Sequence, residues 1–147
     1  MELRVIHRLN SFVKFLQDGE LVVGYSSNSV TYQLEMYRAV YSLEPVVIPL
    51  TTKYPLVEIN DYERRLLMMR TAHSIHLLDR WNNWKRAELH SRLVIATALY
   101  QSTNKTLVCS YQTGELKYYR YRDDAFTELQ SINLAKINGY VSCLRFD

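Results

Sequence analysis

Leu107-Val108-Cys109-Ser110-Tyr111-Gln112-Thr113-Gly114-Glu115-Leu116-Lys117-Tyr118 opens on an apolar run, passes through a polar turn and resumes in apolar/polar alternation. That pattern predicts two strands joined by a tight turn. It stands twice earlier in the same gapless register. The first copy is Leu21-Val22-Val23-Gly24-Tyr25-Ser26-Ser27-Asn28-Ser29-Val30-Thr31-Tyr32, and the second is Leu66-Leu67-Met68-Met69-Arg70-Thr71-Ala72-His73-Ser74-Ile75-His76-Leu77. Val22, Leu67 and Val108 fall at one place in the repeat, and Val30, Ile75 and Leu116 at another. Strand alternation predicts that each trio points one way, into a core between sheets. Asn28, His73 and Gly114 share the turn position. A tight hairpin turn there asks for φ > 0, which Gly and Asn adopt readily and His more often than most residues.

The unit extends beyond the hairpin. Strand-like runs precede each copy at 11–16, 55–59 and 94–99, joined to it by the turn signals Gln17-Asp18-Gly19-Glu20, Asn60-Asp61-Tyr62-Glu63 and Gln101-Ser102-Thr103-Asn104. A fourth run follows at 39–43, 85–89 and 126–130. The turns before these fourth runs fall near Met36-Tyr37, at Asn82-Asn83 and at Asp123-Asp124, each about 16 residues beyond the leading leucine. A repeat of about 40–45 residues carrying four short strands is the mark of a β-propeller. The expected fold is therefore all-β: one partial propeller segment over 1–147, with blades near 11–45, 54–90 and 93–131 and the first strand of a fourth at 139–147. Residues 62–69 contain good helix formers, but their register places them in a strand. Residues 45–54 read as a linker longer than the others, with room for a short turn of helix, and 2–9 as a lone outer strand.

The 147 residues carry a net charge of +3, too small and scattered to argue for nucleic acid by itself. Twelve Tyr against four Phe suit half-buried strand surfaces, where the ring packs and the hydroxyl reaches water. Cys109 and Cys143 both lie in apolar strand patterns and read as reduced core thiols of a cytoplasmic or nuclear protein. No apolar run approaches the length of a membrane helix, so no membrane partner is expected.

The hairpins, best seen in residues 106–119, resemble those of the WD40-repeat β-propeller family. That family shows an apolar run, a small residue, a turn glycine and an alternating strand ending in Trp-Asp. The Trp-Asp positions here hold Gln33-Leu34, Leu78-Asp79 and Tyr119-Arg120, so only Asp79 matches. No Gly-His pair precedes a unit. The resemblance implies rigid blades that present loops to other proteins. It also implies a closed ring of about seven blades, of which this chain supplies the first part or which a partner completes.

Catalytic, cofactor-binding and metal residues are all expected to be absent. His73 and His76 lie three apart on a strand and so point to opposite faces. No Ser, His or Asp stands in a nucleophile-elbow context, and four isolated glycines make no phosphate cradle. Two surface candidates remain. Arg80, Trp81, Trp84 and Lys85 surround a tight turn with the composition of a partner-binding hot spot; the competing reading is a cross-strand aromatic pair that holds the hairpin. Lys117, Tyr119, Arg120 and Arg122 interleave cations with aromatic rings, as a strip for nucleic acid or an acidic partner does. The leading expectation is a non-catalytic protein-interaction scaffold, a subunit or adaptor with other proteins as partners. The alternative is a nucleic-acid-associated propeller using the basic-aromatic strip.

Overall fold

The computed structural model describes residues 12–17, 19–26, 30–38, 45–133 and 144. Twelve strands form three four-stranded antiparallel sheets, each in simple up-and-down order. The first holds β1 (Phe12–Phe15), β2 (Leu21–Ser26), β3 (Tyr32–Tyr37) and β4 (Val46–Thr52). The second holds β5 (Glu58–Tyr62), β6 (Leu66–Arg70), β7 (Ser74–Asp79) and β8 (Lys85–His90). The third holds β9 (Ile95–Gln101), β10 (Thr106–Tyr111), β11 (Glu115–Arg122) and β12 (Ala125–Asn133). No helix occurs among the described residues. The described residues are all-β and form a partial propeller of three blades.

The sheets stack face to face, and alternation along the middle sheet serves two cores. Ile59, Leu67, Met69 and Leu78 pack toward Val22, Leu34, Met36, Ile48 and Leu50 of the first sheet. Met68, Ile75 and Leu77 point the other way, against Ala98, Tyr100, Leu107, Cys109, Tyr111 and Tyr119 of the third. Every residue of β7 is buried, as a strand enclosed on both faces must be. The last strands of the second and third sheets are polar. Lys85, Arg86, Glu88 and His90 of β8 are exposed around buried Ala87, so charge guards that edge. The tyrosine count has a structural outlet between the second and third sheets. Tyr62, Tyr100, Tyr121 and Phe126 form a ladder with successive ring centroids 5.3, 6.3 and 5.8 Å apart. Edge-on and tilted rings at this spacing add attraction beyond their buried area.

Several expectations are corrected. The fourth strand of the first sheet is Val46–Thr52, in the stretch that reads as a linker; residues 39–44 lie outside the described part. Met36-Tyr37 is strand, paired with Val22 and Leu21, and not a turn. The second sheet opens at Glu58, so its first turn moves to 63–65. Positive φ is not the shared demand of the β–β turn at His73. Gly114 has φ +90°, His73 does not have positive φ, and Asn28 lies outside the described residues. The left-handed pairs are instead Glu63-Arg64, Asn83-Trp84 and Asp123-Asp124, in the neighbouring turns. Two adjacent positive φ values are what a mirror-image two-residue hairpin turn needs. Of the second register trio, Ile75 is fully buried, Leu116 is half-buried and Val30 is 64% exposed. The trio Val22, Leu67 and Val108 is buried throughout but does not point one way: Val22 and Leu67 meet in the core between the first two sheets and so lie on opposite faces of their own. The strands expected at 2–9 and 140–147 lie outside the described residues, apart from Leu144.

Candidate interaction site

At one end of the second and third sheets, four turns come together around a cleft of about 650 Å³. Two are the first turns of their sheets, at 63–65 and 102–105. Two are the last, at 80–84 and 123–124. The end of β7 supplies the fixed point. Asp79 is buried, and Arg65 forks onto its carboxylate, with Nη2 2.8 Å from Oδ2 and Nε 3.1 Å from Oδ1. The Trp81 backbone N–H donates to the same Oδ1 at 3.1 Å. The guanidinium beside it, chiefly through that hydrogen bond, holds the Asp79 carboxyl below the usual carboxylate range. Arg65 also holds an aromatic ring, because its Cζ lies 5.7 Å from the centre of the Trp81 ring, within cation–π range. The Trp81 side chain is 71% exposed, the most exposed large apolar group of the described residues.

The first sequence-picked cluster divides by role. Arg80 reaches back to the first sheet, where its Nη2 lies 2.8 Å from Glu20 Oε2; both side chains are largely buried. Trp84, at φ +58°, packs half-buried against the first core. Lys85 crosses to the third sheet and pairs with Asp124, Nζ to Oδ2 at 2.6 Å. Tyr121 donates its hydroxyl to the other oxygen of Asp124 at 3.0 Å. The Lys85 contact leads the effects that lower the Asp124 carboxyl, while burial pushes the Tyr121 hydroxyl up to about 12. Arg80 and Lys85 therefore tie the Trp81 turn to both neighbouring blades. The Lys85 pair is exposed to solvent, so its value is in orientation more than in stability.

The second cluster is not one surface. Tyr119 is 5% exposed in the second core, its hydroxyl 2.9 Å from that of Tyr111. Lys117 lies over the Tyr111 ring at 5.9 Å, between Glu115 at 3.7 Å and Glu128 at 3.9 Å. Arg120 and Arg122 are the outward members, and both line the cleft. So the two clusters, nearly a repeat apart in sequence, meet in space: Arg120, Arg122 and Asp124, the partner of Lys85, line the cleft, and Arg65 of its wall lies over Trp81. Sequence reasoning missed Arg65 and Tyr121 as its framework. The available signal was the repeat itself, since equivalent turns of adjacent blades must emerge at the same end.

His73 lies in the turn before β7, not on a strand with His76, and both line one cavity; His73 Nδ1 is 3.2 Å from the Ser91 carbonyl oxygen, which accepts its hydrogen bond, while His76 bonds to Ser74. No group of three or more His, Cys, Asp or Glu side chains could hold a metal ion among the described residues. No helix of the described residues is long and apolar enough to cross a membrane.

No family model matches this chain, and no curated protein matches it. Among solved structures, it is similar to a chain in "Crystal Structure of Mitotic Checkpoint Complex", with a TM-score of 0.57 and 14% identity over 82% of this chain. The match spans 39% of that chain. At this identity the likeness concerns the fold.

Proposed function

We propose that this chain is part of a non-catalytic, WD40-like propeller that binds other proteins, as a subunit or adaptor of a multiprotein complex in the cytoplasm or nucleus. One observation carries the reading: Trp81 stands exposed beneath an arginine, on a turn held from both sides. An aromatic–arginine pair is the composition of binding hot spots. A turn already fixed by Asp79, Arg80 and Lys85 loses little freedom on docking, so more of the contact energy reaches the affinity. The surrounding cleft offers Arg120 and Arg122 as rim charges that steer an acidic partner surface. The likeness of fold to a chain from a multiprotein assembly agrees with this reading, though a fold by itself does not assign a function.

The nucleic-acid reading is weaker because Tyr119, the ring that would stack a base in the strip, is buried. The test is affinity purification of the tagged chain from cells, with partners quantified for wild type, Trp81→Ala and Arg120→Glu/Arg122→Glu. A defined set of proteins lost from both variants, with unchanged circular dichroism, is the expected result. A partner set indifferent to both variants would refute the site. Tight oligonucleotide binding at physiological salt, lost in the arginine variant, would reverse the order of the two readings.

A further inference from the structure

At the opposite end of the middle sheet lies a second cavity, of about 840 Å³, between the first and second sheets. Its charge is lopsided. Lys53, Arg86 and Arg92 line it, against Glu88 as the one acidic residue of its wall among the described residues. That carboxylate is already shared: Arg86 Nε lies 3.0 Å from Oε1 and His90 Nε2 3.2 Å from Oε2. Among the described residues, neither Lys53 nor Arg92 forms an ion pair, and Lys53 lies over the Tyr54 ring at 5.7 Å. The floor is polar. His76, 3% exposed, bonds through Nε2 to the Ser74 hydroxyl at 2.9 Å, while its buried Nδ1 has no hydrogen-bond partner. Glu88 Oε1 stands 3.4 Å from that Nδ1 without the alignment of a hydrogen bond.

We propose that this cavity receives a phosphorylated serine or threonine side chain from a segment of a partner protein. The proposal deepens the protein-interaction reading and rests on it, but uses a different surface from the Trp81 cleft. Two cations without acidic partners call for about two negative charges, which a single phosphate monoester carries at neutral pH on three acceptor oxygens. One carboxylate would leave a cation unmatched. Hydroxyl and imidazole groups in the wall offer neutral donors beside the charged ones, and charge-assisted hydrogen bonds are the strong ones. The cavity has room for the modified side chain and its flanking backbone.

The test uses the full chain and three glycine-serine peptides: one carrying a phosphoserine, one with glutamate there and one with unmodified serine. Imidazole NMR signals report the contact, since three of the four histidines line this cavity. The expected result is saturable shifts of those signals with the phosphopeptide and binding weaker by about tenfold or more for the other two. Lys53→Glu/Arg92→Glu abolishes the shifts, whereas Arg38→Ala, which removes an exposed cation elsewhere, leaves them. Equal binding of the glutamate peptide, retention in the double variant, or stronger binding of a mixed-sequence oligonucleotide overturns the proposal. A chain that binds the phosphopeptide yet captures no partner through Trp81 would refute the cleft reading and leave this site standing.

Discussion

Replacing Ile75 with Ala and, separately, Val30 with Ala puts the blade packing to a quantitative test, because the two positions share one place in the sequence register while Ile75 lies within β7 and Val30 ahead of β3. Ile75 is fully buried between the second and third sheets, with Met68, Leu77, Leu107 and Cys109 in the same cluster. Truncation removes three carbon groups, each worth about 0.8 kcal/mol of transfer free energy. A residual cavity adds to this, because neighbours anchored in two sheets relax only partly, and the total comes to about 3–4 kcal/mol. Val30 is 64% exposed, so its truncation should stay within about 0.5 kcal/mol. Urea unfolding of each variant, followed by circular dichroism and tryptophan fluorescence at equal slopes, supplies the comparison. Equal losses for the two variants would refute the reasoning, since they would mean that position in the repeat, and not enclosure by a neighbouring sheet, sets the cost.

Burial lowers the pKa of His76 from its ordinary value of 6.5, so the folded state binds its proton less well than the unfolded state does. The associated stability is fully present above that ordinary value and is lost as the pH falls below it toward the folded value. Urea midpoints should therefore decline from pH 7 to pH 5, and His76→Gln should flatten the decline; an unchanged slope would remove His76 as its source. Burial also pushes the Cys109 thiol up to about 12. In a Cys143→Ser background, a thiol reagent at pH 8 should leave Cys109 unmodified until urea is added, and rapid labelling of the native chain would show that the strand opens.

The amino-acid sequence by itself determined the repeat, the strand class and most of the pairing. Those follow from local alternation and turn chemistry, which a gapless register makes visible three times. Leu67 and Val108 were legible as core for that reason, and Asn82-Asn83 and Asp123-Asp124 as turns. The fate of equivalent residues was not legible. Ile75 is enclosed because it lies within β7, which a sheet covers on each face, whereas Val30 lies ahead of β3 and is exposed, and a gapless register cannot see that the first hairpin's connection is longer. Val46–Thr52 was missed because 39–43 reads as the fourth run and 45–54 as linker; Pro49 is tolerated within the strand at a β-bulge, where the pairing passes from Ile48 to Thr51. The candidate site was legible only in pieces. Trp81, Lys85, Arg120 and Arg122 could be picked by composition, but their meeting at one cleft depends on how two blades stack. Only that stacking decided that Tyr119 is core and that Lys85 answers Asp124: contacts between blades join residues about one repeat apart, a distance no local pattern spans.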